Sequence, residues 1–141
     1  MNRIDKHFFP PFFAAIPLSV ALLFAAAPGR AGSVRKTGDF YSVTVTTSKE
    51  GGKEIATVRV KGRAGYHCNT LYHWKLAVDP VPRVQLEKQL LENRDAQEFS
   101  AGGVIFRVRY FGGSGQKMSA KLKFSVCNDK QCVMEAVDLG W

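Results

Sequence analysis

The feature that most limits the possible folds is a period-two alternation of apolar and polar residues through most of residues 40–141. It is clearest in four segments, 40–48, 53–63, 103–111 and 117–127. Successive side chains of a β-strand point to opposite faces, so each segment predicts a strand with one buried face and one face in water. The residues expected to face inward are Tyr41, Val43, Val45, Ala56, Val58, Val60, Val104, Phe106, Val108, Met118, Ala120, Leu122, Phe124 and Val126.

Turn signals separate these segments at short intervals. The Gly51-Gly52 pair is typical of the turn of a β-hairpin. Weaker patterns predict strands over 72–80, 82–89 and 131–141, a break at 65–69, and a loop or short edge strand, with at most one helical turn, over 90–103. Seven or eight short strands with almost no helix predict an all-β fold, an antiparallel immunoglobulin-like β-sandwich.

Residues 1–31 have the layout of a secretory signal peptide, with a short basic start, an apolar run over 12–27 and small residues before the cleavage site. Cleavage after Ala31 would leave residues 32–141 as a single domain, which would be either periplasmic or secreted. A retained membrane anchor is the alternative. It fits less well, because the run is shorter than the roughly 20 residues that span a bilayer and contains Pro17.

The positive charge of the chain is spread over single residues rather than clustered. The chain has 20 Lys and Arg residues against 12 Asp and Glu, a formal net charge of +8. Such a balance can indicate a nucleic-acid or membrane partner. Here most basic residues occupy alternate positions of predicted strands, which is typical of the solvated face of a sheet: Lys49, Lys53, Arg59, Lys61, Arg63, Arg107, Arg109, Lys121 and Lys123. We therefore expect no nucleic-acid partner, and no nucleotide-binding loop or serine-hydrolase signature occurs.

Two cysteines, Cys127 and Cys132, flank the turn Asn-Asp-Lys-Gln between the last two predicted strands. Paired hairpin positions place β-carbons about 4.5–5.5 Å apart and disulfides need about 3.5–4.5 Å, so a bond between them is feasible but constrained. It would close a very short loop and stabilise the fold little. An exposed bond of this kind is typical of a working redox couple, and an inert clasp is the alternative. Lys130, within the turn, would lower a thiol pKa if it approached.

Cys68 leaves the chain with an odd number of cysteines. A small buried residue would suit its position, and the alternatives are a bond to Cys127 or Cys132, a metal ligand or a dimer contact. His67 and His73 complete the set of soft metal ligands. One cysteine pair and two histidines across a break define no coordination geometry, so no metal or other cofactor is expected.

Three stretches make the sequence similar to the N-terminal periplasmic domain of the thiol:disulfide interchange (DsbD) family. They are 56–80, the segment "PRVQLEKQ" at 82–89, and 122–139, which contains the cysteine hairpin. The chain differs from the family pattern in two details, since it has four rather than five residues between the cysteines and Val-Met-Glu where prolines follow the second. The family's membrane-embedded centre and thioredoxin-like end have no counterpart in these residues.

The resemblance implies an immunoglobulin-like fold and a redox pair formed by Cys127 and Cys132, in which Cys132 attacks the disulfide of a protein partner. It also implies a loop that caps the pair, sought in 92–99 among Glu92, Asp95, Glu98 and Phe99. The expected function is thus thiol:disulfide exchange by an exported domain. A non-enzymatic binding or structural module with an inert disulfide is the alternative.

Overall fold

The computed structural model describes residues 32–113 and 115–141. Nearly all regular structure in this part of the chain is β-strand. The strands are β1 (Ser33–Thr37), β2 (Tyr41–Glu50), β3 (Lys53–Gly62), β4 (His67–Cys68), β5 (Lys75–Val78), β6 (Gln85–Leu86), β7 (Leu90–Glu92), β8 (Glu98–Ser100), β9 (Gly103–Phe111), β10 (Ser119–Cys127) and β11 (Cys132–Gly140). One 3-10 turn, Asn93–Asp95, lies between β7 and β8.

The strands form two antiparallel sheets. In sheet A the order is β1-β2-β3-β9-β6, and β8 also pairs with β9. In sheet B the order is β11-β10-β5-β7, and β4 also pairs with β10. The two sheets pack face to face as an immunoglobulin-like β-sandwich, which confirms the all-β fold class predicted from the alternation.

The inner faces of both sheets share one hydrophobic core. All the residues predicted to face inward are buried except Tyr41, which is half-buried. The largest fully buried side chains include Trp74, Phe106 and Phe124. The indole of Trp74 packs against Phe124 of sheet B at 5.2 Å between ring centroids and against Phe99 of sheet A at 6.0 Å. This residue therefore links the two layers.

The β2–β3 hairpin turns at the predicted glycine pair. Gly51 and Gly52 have φ angles of +55° and +79°. Positive φ at both central residues is the geometry of a tight hairpin turn whose twist matches that of the strands. The register that follows pairs Glu50 with Lys53 and places Val43 opposite Val60.

The weakly patterned segments differ from their predictions. Strand β1 was not predicted, because its sequence Ser-Val-Arg-Lys-Thr has one apolar residue and all five positions are exposed on the sheet edge. The strand predicted over 82–89 shrinks to the two residues of β6. Pro82 has no N–H to donate, and Arg83 adopts a left-handed φ of +67°, so the ladder cannot begin earlier.

The two segments expected to be irregular contain short paired strands. The predicted break at 65–69 includes β4, which pairs with β10. The segment 90–103, predicted as a loop or short edge strand with at most one helical turn, contains the short strands β7 and β8 and one 3-10 turn between them. The signal peptide predicted at 1–31 lies outside the described residues and stays a prediction. In the described part of the chain, no helix has the length and apolar character needed to cross a membrane.

Candidate functional site

Cys127 and Cys132 form a disulfide at the turn end of the β10–β11 hairpin. They are directly paired in the register of the two strands, with Cα atoms 4.0 Å apart. The two sulfur-bearing residues differ in exposure, since Cys127 is 7% exposed and Cys132 lies in the exposed class. The bond is therefore approached from the side of Cys132.

The turn between the cysteines is held by one side chain. The Oδ1 atom of Asn128 accepts hydrogen bonds from the backbone N–H groups of Lys130 and Gln131, both at 2.9 Å. The Asn128 N–H donates to the carbonyl of Gln131, also at 2.9 Å. An Asx turn of this kind replaces backbone partners by a side chain and fixes a short loop. Lys130 is exposed within it, and its effect on a thiol pKa stays a prediction.

The connection between β3 and β5 reaches over to this hairpin. Tyr66 accepts a 2.8 Å hydrogen bond from the Gln131 side chain at its hydroxyl, and its ring stacks on Phe40 at 4.3 Å between centroids. The Asn69 amide donates to the Ser125 hydroxyl at 3.4 Å and lies 4.0 Å from the sulfur of Cys132. The same segment therefore contacts both the turn and the sulfur of the exposed Cys132.

Trp74 anchors this connection to the core. Its Nε1–H donates to the Asn69 carbonyl at 2.7 Å, and its backbone N–H donates to the Oδ1 atom of Asn93 at 2.8 Å. The Asn93 amide in turn donates to the Tyr72 carbonyl at 2.8 Å. Since the indole itself is fully buried, the position of Asn69 beside the disulfide is tied to the packing of the sandwich.

The segment 92–99, in which the cap was sought, lies between β7 and β8. Asp95 accepts hydrogen bonds from Lys88 at 2.6 Å and from the Glu92 N–H at 2.8 Å, and these bonds lower the pKa of its carboxyl group. Phe99 packs edge-on against Trp74, and Glu98 pairs with Ile105 in the β8–β9 ladder. The contacts described for these residues thus belong to the sandwich edge, and a cap formed by them stays a prediction.

Cys68 is a free thiol, fully buried on β4. It is paired with Val126 in the sheet, and its side chain therefore points into the core, whereas the neighbouring pair of His67 and Cys127 points outward. Burial raises the pKa of the Cys68 thiol to about 11. Cys68 is therefore not bonded to Cys127 or Cys132, which had been one of the alternatives for it.

The available soft ligands are not gathered around one point. Among the residues that the structure describes, no group of three or more His, Cys, Asp and Glu side chains is close enough to hold a metal ion. Cys127 and Cys132 are bonded to each other, and Cys68 faces the opposite side of the sheet.

The outer face of sheet B, which we call the cysteine face, carries the disulfide together with neighbours that were not predicted to belong to the site. Its members are His67, Lys75, Ala77, Lys121, Lys123, Ser125, Cys127, Cys132, Met134, Ala136 and Asp138. Strand alternation alone assigns most of them to one face. The positions of His67, Asn69 and Tyr66 could not be predicted, because they are set by β4, whose two residues are too few to produce a recognisable pattern.

Comparisons with known proteins agree with the architecture. No family model matches the chain, and no curated protein matches it. Among solved structures, the GAE domain of GGA2p from Saccharomyces cerevisiae is similar over 79% of this chain and 96% of its own, with a TM-score of 0.51 and 8% identity. The yeast GGA1 GAE domain is similar over 79% of this chain and 98% of its own, with a TM-score of 0.48 and 14% identity. At 8% identity the likeness to the GGA2p domain shows the immunoglobulin-like sandwich fold alone.

Proposed function

We propose that this chain is a thiol:disulfide exchange domain whose working groups are Cys127 and Cys132. The observation that carries the proposal is the unequal exposure of the two bonded residues, with Cys132 at the surface and Cys127 buried beside it. An incoming thiolate reaches the exposed sulfur, and the buried partner becomes the leaving group. Exchange depends on access and on which sulfur is attacked.

The reaction balances without any cofactor. A partner thiolate attacks the Cys132 sulfur, the bond between the two cysteines breaks, and Cys127 leaves as a thiolate while a mixed disulfide forms at Cys132. A second partner thiolate then attacks the partner's own sulfur in that mixed disulfide, which releases the reduced pair and an oxidised partner. In the opposite direction, the reduced Cys132 thiolate attacks a partner disulfide, and Cys127 resolves the mixed disulfide by attacking Cys132.

Two physical features support a working bond over an inert clasp. Only four residues lie between the cysteines, so the bond restricts the unfolded chain little. The inner faces of both sheets also share one hydrophobic core, and a domain of this size does not in general need a disulfide to be stable.

The reduction potential of the pair decides between exchange and the inert binding or structural module. Cys68→Ser removes the third thiol, and the remaining pair is equilibrated with glutathione buffers and quantified by mass spectrometry after alkylation. We expect a potential above about −300 mV, the range of exchanging bonds. A value below that limit would identify a structural clasp and reject the exchange function.

Single cysteine variants test the roles of the two sulfurs. In the Cys127→Ser/Cys68→Ser protein, the Cys132 thiolate should attack a disulfide reagent, release one of its halves as a thiolate and remain in a stable mixed disulfide, because no resolving thiol remains. In the Cys132→Ser/Cys68→Ser protein, the buried Cys127 should react much more slowly with the same disulfide reagent. Equal rates for both variants would contradict the assignment of Cys132 as the attacked and attacking sulfur.

We also propose that the chain is exported as a member of the DsbD-like periplasmic domains, as its sequence resemblance implies. A disulfide persists in the periplasm and outside the cell, where no thiol pool keeps it reduced. Expression of the full chain in a bacterial host should yield a product that starts at Gly32, detectable by intact mass. A retained N-terminus and a reduced hairpin pair would contradict export.

A further inference from the structure

We infer that the cysteine face beside the disulfide is a docking surface for an acidic protein segment with an exposed apolar side chain next to its own reactive cysteine. The inference rests on the proposed function, because it names the partner class of that same site. Three observations carry it, namely a pair of opposed lysines, two strongly exposed apolar residues, and a groove lined by the lysines and by one of the apolar residues.

The opposed lysines are Lys75 on β5 and Lys123 on β10. They are directly paired across the two strands and lie on the outer face, where both are exposed. Like charges directly opposite each other destabilise a sheet. Neither lysine makes an ion pair within residues 32–113 and 115–141. Glu92 lies on the other side of Lys75, but its carboxylate contacts Arg94, at 3.5 Å.

The apolar contribution comes from Leu71 and Met134, which are 92% and 72% exposed and are the two most exposed large hydrophobic residues in the described chain. Met134 is two positions beyond Cys132 on the same face of β11, a separation of about 7 Å along a strand. The Leu71 N–H donates to Asn69, whose amide reaches Cys132. Met134 therefore follows the exposed Cys132 on the same face, and the Leu71 backbone is linked to Cys132 through the Asn69 side chain.

A shallow groove of about 360 Å³ lies between Leu71 and the two lysines. It is lined by Leu71, Tyr72, His73, Lys75 and Lys123. Its walls combine a leucine, a tyrosine, a histidine and two lysines that make no ion pair in the described part of the chain. The chemistry that complements them is a carboxylate pair near a leucine-type side chain. Lys123 is four positions from Cys127 on β10, or about 14 Å along the strand, so a peptide of a few extended residues spans the groove and the disulfide.

Model peptides test the inference in the exchange reaction. One peptide carries a single cysteine flanked by Leu and three Glu, and its match carries Lys in place of Glu. Each peptide thiolate attacks Cys132 and releases Cys127, and the rate of mixed-disulfide formation is divided by the same peptide's rate with neutral hydroxyethyl disulfide to remove differences in thiol reactivity. At 10 mM ionic strength, we expect the acidic peptide to react at least about tenfold faster. The preference should vanish in 1 M NaCl, where the screening length is about 3 Å.

Matched variants locate the effect. The Lys75→Gln/Lys123→Gln protein should lose the preference for the acidic peptide, whereas Lys36→Gln/Lys61→Gln removes two exposed lysines from sheet A and should keep it. The Leu71→Ser/Met134→Ser protein should react several-fold more slowly with both peptides that contain Leu. Its rates with peptides in which that Leu is replaced by Ser should be unchanged. Equal loss in the sheet A control would mean that net charge alone steers the peptide, and the docking surface would be rejected.

A second arm separates docking from exchange. The Cys127→Ser/Cys132→Ser protein is titrated with the acidic peptide carrying Ser for Cys, and chemical shifts of the cysteine face are followed by NMR. Saturable shifts at Lys75, Lys123 and Leu71 would support docking even if the wild-type bond did not exchange. No shifts on the face, binding to phosphatidylglycerol vesicles in place of the peptide, or self-association through this face would each overturn the inference.

Discussion

The outer faces of the two sheets handle charge in opposite ways. On sheet A, Arg107 contacts Glu50, and Glu87 lies between Lys53 and Arg109. We call this outer surface the paired face. On the cysteine face, Lys75 and Lys123 oppose each other, and the salt bridge of Lys121 with Asp138 lies further along β10, away from the disulfide.

The difference also extends to apolar residues. On the paired face Ile55 is 1% exposed and Ile105 is 7% exposed, so long charged side chains cover the outward apolar residues. On the cysteine face Met134 remains 72% exposed. The paired face thus has ion pairs and covered apolar residues, as expected of a sheet surface in water. The cysteine face has opposed like charges and an exposed methionine, both of which are unfavourable on such a surface. Departures of this kind are expected at functional sites.

The largest effect is expected from Trp74, which supports the cysteine face from below. Trp74→Ala removes a fully buried indole and its bond to the Asn69 carbonyl, and should lower the free energy of unfolding by about 3–5 kcal/mol. It should also speed reduction of the disulfide by dithiothreitol, because the segment beside Cys132 loses its anchor. Urea unfolding and the reduction rate under native conditions measure the two effects.

Phe106→Ala is the matched control, since Phe106 is fully buried in sheet A. It should destabilise the fold by a similar amount, about 3–5 kcal/mol, without changing the reduction rate at low denaturant. Trp74→Phe keeps an aromatic ring and loses the Nε1–H donor, and should fall between wild type and alanine. If both alanine variants speed reduction equally, the segment over Cys132 owes its position to global stability rather than to Trp74.

The parts of the structure that could be predicted from the sequence are those with a local pattern. Long strands with strict alternation, such as β3 and β10, were predicted with their inward residues correct, because burial of one face leaves a period of two. The cysteine pair at the β10–β11 turn followed from the same register. These features depend on residues that are near one another in sequence.

Other parts of the site depend on contacts between distant residues. Asn69 and Ser125 are 56 positions apart, and Tyr66 and Gln131 are 65 apart. No local pattern encodes such pairs, and β4, which brings the segment to β10, has only two residues. Strand β1 was missed for a different reason, since an exposed edge strand has no buried face to produce an alternation.

Cys68 lies on the inner side of sheet B, opposite the face that carries the disulfide, and its thiol is fully buried. Burial raises the pKa of its thiol from 9.0 to about 11, so between these values the unfolded chain releases a proton that the folded chain keeps. The contribution of this thiol to the free energy of unfolding should therefore be complete below about pH 9 and should decline as the pH rises towards 11. Unfolding followed by fluorescence at pH 8, 9, 10 and 11 measures the slope.

Cys68→Ala removes this titration and should flatten the alkaline decline, although it leaves a small cavity. A residual slope is expected from Tyr41 and Tyr110, because burial also raises the pKa of both hydroxyls. In the native wild type at pH 8, N-ethylmaleimide should leave Cys68 unmodified. Rapid labelling, or an unchanged slope in the alanine variant, would show that the thiol is not held in the core.

A smaller effect is expected when the cysteine face is given the charge pattern of the paired face. Lys123→Glu places a carboxylate opposite Lys75 and should raise the free energy of unfolding by about 0.2–1 kcal/mol. The same change should weaken docking of the acidic peptide. Lys61→Glu is the control, because Lys61 is paired with Ser42 and gains no opposite charge there. Loss of stability in Lys123→Glu would mean that the opposed lysines do not repel each other.

The smallest effect is expected on the paired face itself. The Lys53 ammonium holds the pKa of the Glu87 carboxyl below its usual value, so this carboxylate contributes stability above about pH 4.5 that is lost as the pH falls through its lowered pKa. Glu87→Gln should leave unfolding at pH 7 nearly unchanged, since exposed ion pairs contribute little, and should make the acid decline shallower. Wild type in 1 M NaCl should show the same flattening, because salt screens the pair. An acid profile that neither salt nor the substitution alters would remove the distinction between the faces, since the ion pairs of sheet A would then stabilise nothing.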